Sequence, residues 1–578
     1  MKKRILIVPT VAACLLVAGC KGNQEGEALS QVSVENAECF FDETFQVKTV
    51  SILTEKEAQG KGVPFALVRN PNEKLSFMAK DDGGKMQPFY MRGIEVGGWG
   101  MGRDGAPNYD EIFENYNKLS ANSAMFIIHW SDFEPEDGKF DFTYADGIVE
   151  KARAHGIKIV WVLFMHQQFD MRFVRDAESQ WMYNFDTRDG ENYAIQWVKD
   201  KEGNLVKDIP THREKGYTEI MPCYSNPKVY SRIIRMLSAV ADHYKDSKDV
   251  IGVQVGNEEH FSYQGEDSDF NPYTLADFEK WKKQTGETSW TRFKLAMVKL
   301  YFSRFTTAYH MHDPYKVTMI NPIAGGPEKG ETGIIDKSGT DATTFRDSKI
   351  DAIATMFYWA NGSNVWKNLD QVYRINDHYS YATQLPILLS TEIGIRNLNT
   401  WPYTQEYMIN FLERGSQGFA VFAYGSMIGG RRGFGPPSPN SEQTKEGELN
   451  SYGIHYRNFM DMVIANEDII WGGLPGIGYN ISITSTYGGG KISSLHNGNN
   501  ATLGILHFPD DLPDEIEEMT QNIPVEIIAK EAGKYSIEVY MDGKLLSSYD
   551  ENLAASKGKV IYVSISNKNT AFIKVKKQ

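Results

Sequence analysis

The chain has 578 residues, 41% of them hydrophobic, which is enough to build large cores. Its formal net charge is −14, which argues against a nucleic-acid partner because phosphate binding needs a basic face. Aromatic content is 12%, with many Trp and Tyr in polar segments, a composition that suits stacking on sugars.

The chain opens on the basic Met1-Lys2-Lys3-Arg4, and an apolar run follows from Ile5 to Ala18. That run is too short for a stable spanning helix and fits a signal-peptide core. It ends Val17-Ala18-Gly19-Cys20, which resembles the bacterial lipobox, a small-residue cleavage site whose cysteine is lipidated. The resemblance implies a signal peptide over 1–19, a lipidated Cys20, and attachment to a membrane of the cell envelope through that lipid. Residues 20–45 are polar and read as a tether. No other segment stays apolar for about 18 residues, so the body is expected to be soluble. At roughly 540 residues it is long enough for two or three domains. Besides Cys20, Cys39 and Cys223 remain after processing, allowing one disulfide at most. No CxxC pair or HExxH motif supports a zinc site, and neither a metal nor an organic cofactor is implied.

Over 46–468 short apolar strands alternate with amphipathic helices, the pattern of an α/β fold with a parallel sheet. Strands are expected at Phe89–Val96, Ser123–His129, Ile157–Phe164, Val250–Val255, Lys316–Asn321, Ala352–Tyr358, Pro386–Ser390 and Gly418–Tyr424. Tyr144 to His155 reads as a helix with Ile148, Val149 and Ala152 on one face and Gly156 at its C-cap. Asn226-Pro227 starts another, with Val229, Ile233, Leu237, Val240, Ala241 and Tyr244 as one stripe. The connection 322–350 shows no long helix. Eight such strands predict a (β/α)8 TIM barrel, with its active site at the strand C-terminal ends. The loops there are long: 167–225 carries Trp181, Tyr183, Tyr193, Trp197 and Tyr217, and 425–448 is rich in Gly, Pro and Ser. Over 469–578 the periodicity shortens to two, in Ile481-Ser-Ile-Thr, Val525-Glu-Ile-Ile and Ser536-Ile-Glu-Val-Tyr540. Asp542-Gly543 is a type I′ hairpin signal. This tail is expected to be a C-terminal all-β sandwich domain.

Hydrolysing a glycosidic bond takes two carboxyl groups flanking it, one to protonate the leaving oxygen and one to attack carbon or activate water. Ile251-Gly-Val-Gln-Val255 runs into Gly256-Asn257-Glu258-Glu259, and Leu385-Pro-Ile-Leu-Leu-Ser390 runs into Thr391-Glu392-Ile393. Each places a Glu just past an apolar strand, the fourth and the seventh. Asn-Glu also occurs at Asn72-Glu73 and Asn466-Glu467, but neither pair follows a barrel strand.

On these residues the chain resembles glycoside hydrolase clan A, nearest the family 35 and family 42 β-galactosidases. The segment Trp130-Ser-Asp-Phe-Glu134-Pro135-Glu-Asp-Gly138-Lys-Phe140-Asp141-Phe142 resembles the stretch after strand two of both families, and the likeness covers about residues 85 to 465. It implies Glu258 as general acid/base, Glu392 as nucleophile, Asn257 as a bond to the sugar 2-hydroxyl, and Tyr358 as the group orienting Glu392. His129, Trp130, His166 and Gln167 end strands two and three and are candidates for lining the subsite. Tyr424 is a candidate sugar platform, Glu134 a structural acid, and Glu259 the rival of Glu258. Family 35 reads Gln-Val-Glu-Asn-Glu where this chain has Gln254-Val-Gly256-Asn-Glu, which leaves the sugar open. The expectation is a retaining exo-β-glycosidase, β-galactosidase-like, acting on oligo- or polysaccharides outside the cytoplasm. An endo-β-glucanase or mannanase of the same clan, and a glycan-binding lipoprotein without catalysis, are the alternatives. Sequence does not set the oligomeric state.

Overall fold

The computed structural model describes residues 46–96, 108–128, 130–163, 223–257, 270–321, 342–357, 384–391, 401–422, 424–429, 444–476, 478–485, 491–508, 520–566 and 569–578. The first of these form a four-stranded sheet of β1 (Leu53–Thr54), β2 (Phe65–Arg69), β3 (Leu75–Lys80) and β4 (Met86–Phe89). The next eight strands close a barrel: β5 (Met91–Val96), β6 (Ser123–Ile128), β7 (Lys158–Leu163), β8 (Val250–Asn257), β9 (Val317–Asn321), β10 (Ala352–Phe357), β11 (Ile387–Thr391) and β12 (Gly418–Val421). They follow one another around the barrel in chain order, all parallel, and β12 returns to β5 with Gly418 opposite Met91. This is the (β/α)8 architecture that the alternation of apolar runs and helices predicts. Strand one starts at Met91 rather than Phe89 because Phe89 belongs to the sheet beneath it.

Barrel strands are covered on both sides, so they read as nearly continuous apolar runs; Ser123–Ile128 is buried at every position. Successive side chains still alternate between the barrel interior and the helix layer. Inward residues such as Met91, Met125, Ile127, Val160, Met319 and Leu388 form one cluster, which continues through Phe65, Leu67, Phe77 and Phe89 of the four-stranded sheet. That sheet therefore plugs the barrel at the end where the strands begin. Outward residues such as Ile94, Phe126, Trp161, Val253 and Phe419 join the helix core instead.

Closure is tight at β12. A Cβ on Gly418 would lie 2.1 Å from the Met91 carbonyl oxygen, and the φ of +149° at this position favours glycine. Gly418→Ala is therefore expected to destabilise the fold by about 3 kcal/mol or more, read as a lowered thermal midpoint. An unchanged midpoint would mean that strands one and eight do not meet this way.

The helix Pro227–Tyr244 buries the whole expected stripe, Val229, Ile233, Leu237, Val240, Ala241 and Tyr244. Thr143–Ala154 buries Ile148, Val149 and Ala152, and Gly156 follows at a φ of +70°. Between β9 and β10 the described residues hold the short helix Ala342–Asp347; 322–341 lie outside them. Cys223 is buried, its Sγ 3.4 Å from the Thr274 hydroxyl, and Cys39 lies outside the described residues.

The helix Glu467–Ile470 spans the expected boundary at 468/469, and all-β structure follows. The strands are β13 (Leu474–Pro475), β14 (Ile481–Ser485), β15 (Lys491–Asn497), β16 (Ala501–His507), β17 (Thr520–Ala529), β18 (Gly533–Met541), β19 (Lys544–Leu553), β20 (Gly558–Ser566) and β21 (Ala571–Lys577). A six-stranded sheet, β13-β15-β16-β21-β18-β19, faces a three-stranded one, β14-β17-β20. Between them lie Ile483, Val525, Ile527, Ile537, Val563 and Ile573. Asp542 and Gly543 join β18 to β19 at φ values of +50° and +74°, as a type I′ turn requires. The larger sheet turns its other face to the barrel. Phe572 meets Phe459 of the helix Ser451–Ala465 edge-on at 5.6 Å, and Leu495, Leu503 and Ile505 join the helix core. At the same junction the His507 Nδ1 lies 2.9 Å from the Glu406 carboxylate.

Candidate active site

Because all eight barrel strands run parallel, their C-terminal ends share one rim, where barrel loops gather functional groups. β8 ends at Asn257 and β11 at Thr391. Between them stand β9 and β10 on one side and β12, β5, β6 and β7 on the other, so strands four and seven lie across the mouth from each other. Glu258 and Glu392, the residues that follow, lie outside the described residues, as do Tyr358, His129, His166, Gln167 and Glu259. The backbone of Asn257 is described and its side chain is not.

The end of β8 is irregular. Gln254 pairs with Met319 of β9, and Asn257 pairs with Asn321, so three steps on β8 match two on β9. The extra residue falls at Val255-Gly256, directly before Asn257. Bulges of this kind re-aim the chain that follows them and recur beside active sites. Gly256 is also the position at which the sequence departs from the family 35 pattern.

Beneath the rim the barrel interior changes character. Ile94 and Val96 face the helices, so Glu95 between them faces inward; Val253 and Val255 set Gln254 inward in the same way. Asn321 follows the inward Met319 by two residues on β9. Glu95, Gln254 and Asn321 are all buried, above apolar layers of Met, Val, Ile and Leu. Three polar groups at the mouth end of an otherwise apolar barrel suit a floor that contacts a polar ligand. Reading motifs alone misses them. The signal was present in the strand alternation, which sets Glu95 on the same face as Met91 and Gly93.

The segment after strand two is a brace. The Trp130 indole N–H donates to Glu134 Oε2 at 2.7 Å, and the Gly138 backbone N–H donates to Glu134 Oε1 at 2.6 Å. Arg235, on the helix Pro227–Tyr244, also donates to Glu134 and reaches Asp137 at 2.5 Å, while Arg232 pairs with Asp137 at 3.0 Å. Burial pushes the Glu134 carboxyl up, and the Arg235 charge opposes that shift. Phe142 closes the segment by stacking on His243 at 3.9 Å. Trp130 is 5% exposed, and its indole N–H is committed to this brace. Tyr424 is 6% exposed; its hydroxyl accepts from Asn115 Nδ2 at 2.7 Å and its ring lies 5.7 Å from that of Tyr116. The ring thus packs in the wall behind strand eight. Asn466-Glu467 is structural too: Glu467 accepts from the Tyr90 N–H at 3.1 Å and pairs with Arg92 at 3.0 Å, near the start of strand one. Among the described residues, no three His, Cys, Asp or Glu side chains gather as a metal-binding group.

No protein-family model matches the chain, and a search of curated proteins finds no match. Solved structures similar to it include endo-glycoceramidase II from Rhodococcus sp., at 16% identity and a TM-score of 0.42, covering 86% of this chain and 99% of that one. The catalytic domain of β-amylase from Paenibacillus polymyxa is similar at 10% identity and a TM-score of 0.45, covering 65% of this chain and 98% of that one.

Proposed function

We propose that the chain is a retaining β-glycosidase that removes terminal β-linked sugars, β-galactosidase-like, from glycans outside the cytoplasm. One observation carries the reading: Glu258 and Glu392 are the first residues past strands four and seven of a closed parallel barrel. Two carboxyl groups facing each other across such a mouth supply the proton donor and the nucleophile that retention of configuration requires. In this reading Glu258 protonates the leaving oxygen and later activates water, and Glu392 attacks the anomeric carbon. Asn257 bonds the sugar 2-hydroxyl, and Tyr358 orients Glu392. His129, His166 and Gln167 line the subsite, with Glu95, Gln254 and Asn321 as its polar floor. Trp130 and Tyr424 act from within the wall, fixing the ends of strands two and eight.

Incubation with a panel of aryl β-glycosides and polysaccharides, with chromatography of the products, tests the activity. Release of monosaccharide supports exo action. Oligosaccharides released from a polymer would move the reading to an endo-β-glucanase or mannanase. Turnover of nothing on the panel would leave a glycan-binding protein. The location outside the cytoplasm rests on the lipobox-like Val17-Ala18-Gly19-Cys20. Cys20→Ser is expected to shift the protein from the membrane to the soluble fraction while sparing activity; unchanged partitioning of an exported variant would remove the anchor.

A further inference from the structure

The end of the barrel opposite the mouth carries a cavity of about 690 Å³. It lies where four parts of the fold meet: the segment entering β1, strands β2 and β3, the starts of β10, β11 and β12, and β13 of the sandwich. Its volume falls in the range of small-molecule sites, and its lining is mixed, the apolar part including Val50, Leu67, Leu75, Ile387, Phe411 and Leu474.

The charged groups facing it are unbalanced. Arg69, Lys74, Arg346, Lys349 and Arg414 line it against Glu73 and Asp351, in a chain whose net charge is −14. Asp351 is buried and already committed: its Oδ2 accepts from His310 Nε2 at 2.8 Å and from the Thr318 N–H and hydroxyl at 2.7 Å each. Glu73 reaches Arg69 at 3.8 Å, Arg346 pairs with Asp347 at 2.9 Å, and Arg414 pairs with Glu413 at 2.6 Å. Unlike Arg69, Arg346 and Arg414, Lys74 has no such partner, and unlike Lys349 it is not exposed. It is half-buried, its ammonium donates to the Gly473 carbonyl at 3.1 Å, and no described carboxylate pairs with it. Two of its three N–H donors are left over. Desolvation pushes the Lys74 ammonium down to about 7. Gln417, also lining the cavity, is fully buried, and its side-chain oxygen has no hydrogen-bond partner among the described residues.

We propose that this basal cavity binds an organic anion with an apolar body, of the medium-chain carboxylate class, its carboxylate held by Lys74 within the ring of cations and its body on the apolar lining. The anion supplies the partner that Lys74 lacks, and the hydrocarbon covers surface that water covers poorly. Charge alone or apolar surface alone satisfies only half of this lining.

Isothermal titration of the full chain with sodium octanoate, sodium acetate and octanamide tests the proposal. Octanoate should bind one saturable site, with acetate and octanamide at least tenfold weaker. With free Lys74 near 7 and the bound ammonium held charged, octanoate affinity should rise roughly tenfold from pH 8 to pH 6, with proton uptake at pH 8. Lys74→Met should weaken octanoate at least tenfold and flatten the pH dependence. Arg346→Ala, at an exposed rim position, should weaken it several-fold and serves if Lys74→Met folds poorly. Absence of saturable octanoate binding, equal binding of acetate or octanamide, or unchanged affinity in both variants would overturn it.

Discussion

Glu392→Gln is expected to lower hydrolysis of every substrate the wild type accepts by about 10³–10⁶-fold, the scale seen when a residue acting as part of a catalytic unit is removed. The amide keeps the size of the carboxylate and removes its charge, so the barrel should fold with an unchanged thermal midpoint. A nucleophile contributes to the transition state of the first bond-breaking step whatever the leaving group, so poor and activated glycosides should suffer alike. Full activity in Glu392→Gln would remove the proposed site.

Glu258→Ala should behave differently. A general acid contributes about 10²–10⁴-fold when the leaving oxygen needs a proton, and little when the leaving group is already a stable anion. Glycosides with poor leaving groups should therefore lose most of their rate at the first step, while activated aryl glycosides should still load the enzyme and stall at the second. Azide needs no base to attack the loaded sugar, so it should partly restore turnover of activated substrates and yield a β-glycosyl azide. The double signature separates Glu258 from Glu259: if Glu259→Ala shows the leaving-group dependence and azide rescue instead, the acid is the neighbour.

The barrel was legible because its strands are nearly continuous apolar runs and its helices carry whole stripes. Ile157–Phe164 and the Val229-to-Tyr244 face needed no partner information to be read. The hairpin at Asp542-Gly543 was legible for a local reason, since both residues adopt positive φ and few side chains tolerate that. The base of the molecule was less so. Phe89 looks like the start of strand one, yet it ends a strand of the plugging sheet, and a one-residue break at Tyr90 is invisible to periodicity. The roles of Trp130 and Tyr424 turn on which face of the barrel wall each ring occupies. A polar tip on an aromatic body is equally at home against a sugar or against Glu134 and Asn115. The β8 bulge at Val255-Gly256 depends on pairing with β9 and has no local signal. Glu95, by contrast, was readable from strand alternation.

The account turns on double displacement between Glu258 and Glu392, and the anomer released first reports on it directly. Proton NMR of a wild-type digestion of an aryl β-glycoside, recorded before mutarotation, should show the β anomer of the sugar appearing first and the α anomer only later. The proposed retaining mechanism calls for two carboxyl groups about 5–5.5 Å apart, with no room for a water between nucleophile and sugar, so that configuration is inverted twice and retained overall. First appearance of the α anomer would mean single displacement by water, and would contradict both the spacing and the role assigned to Glu392.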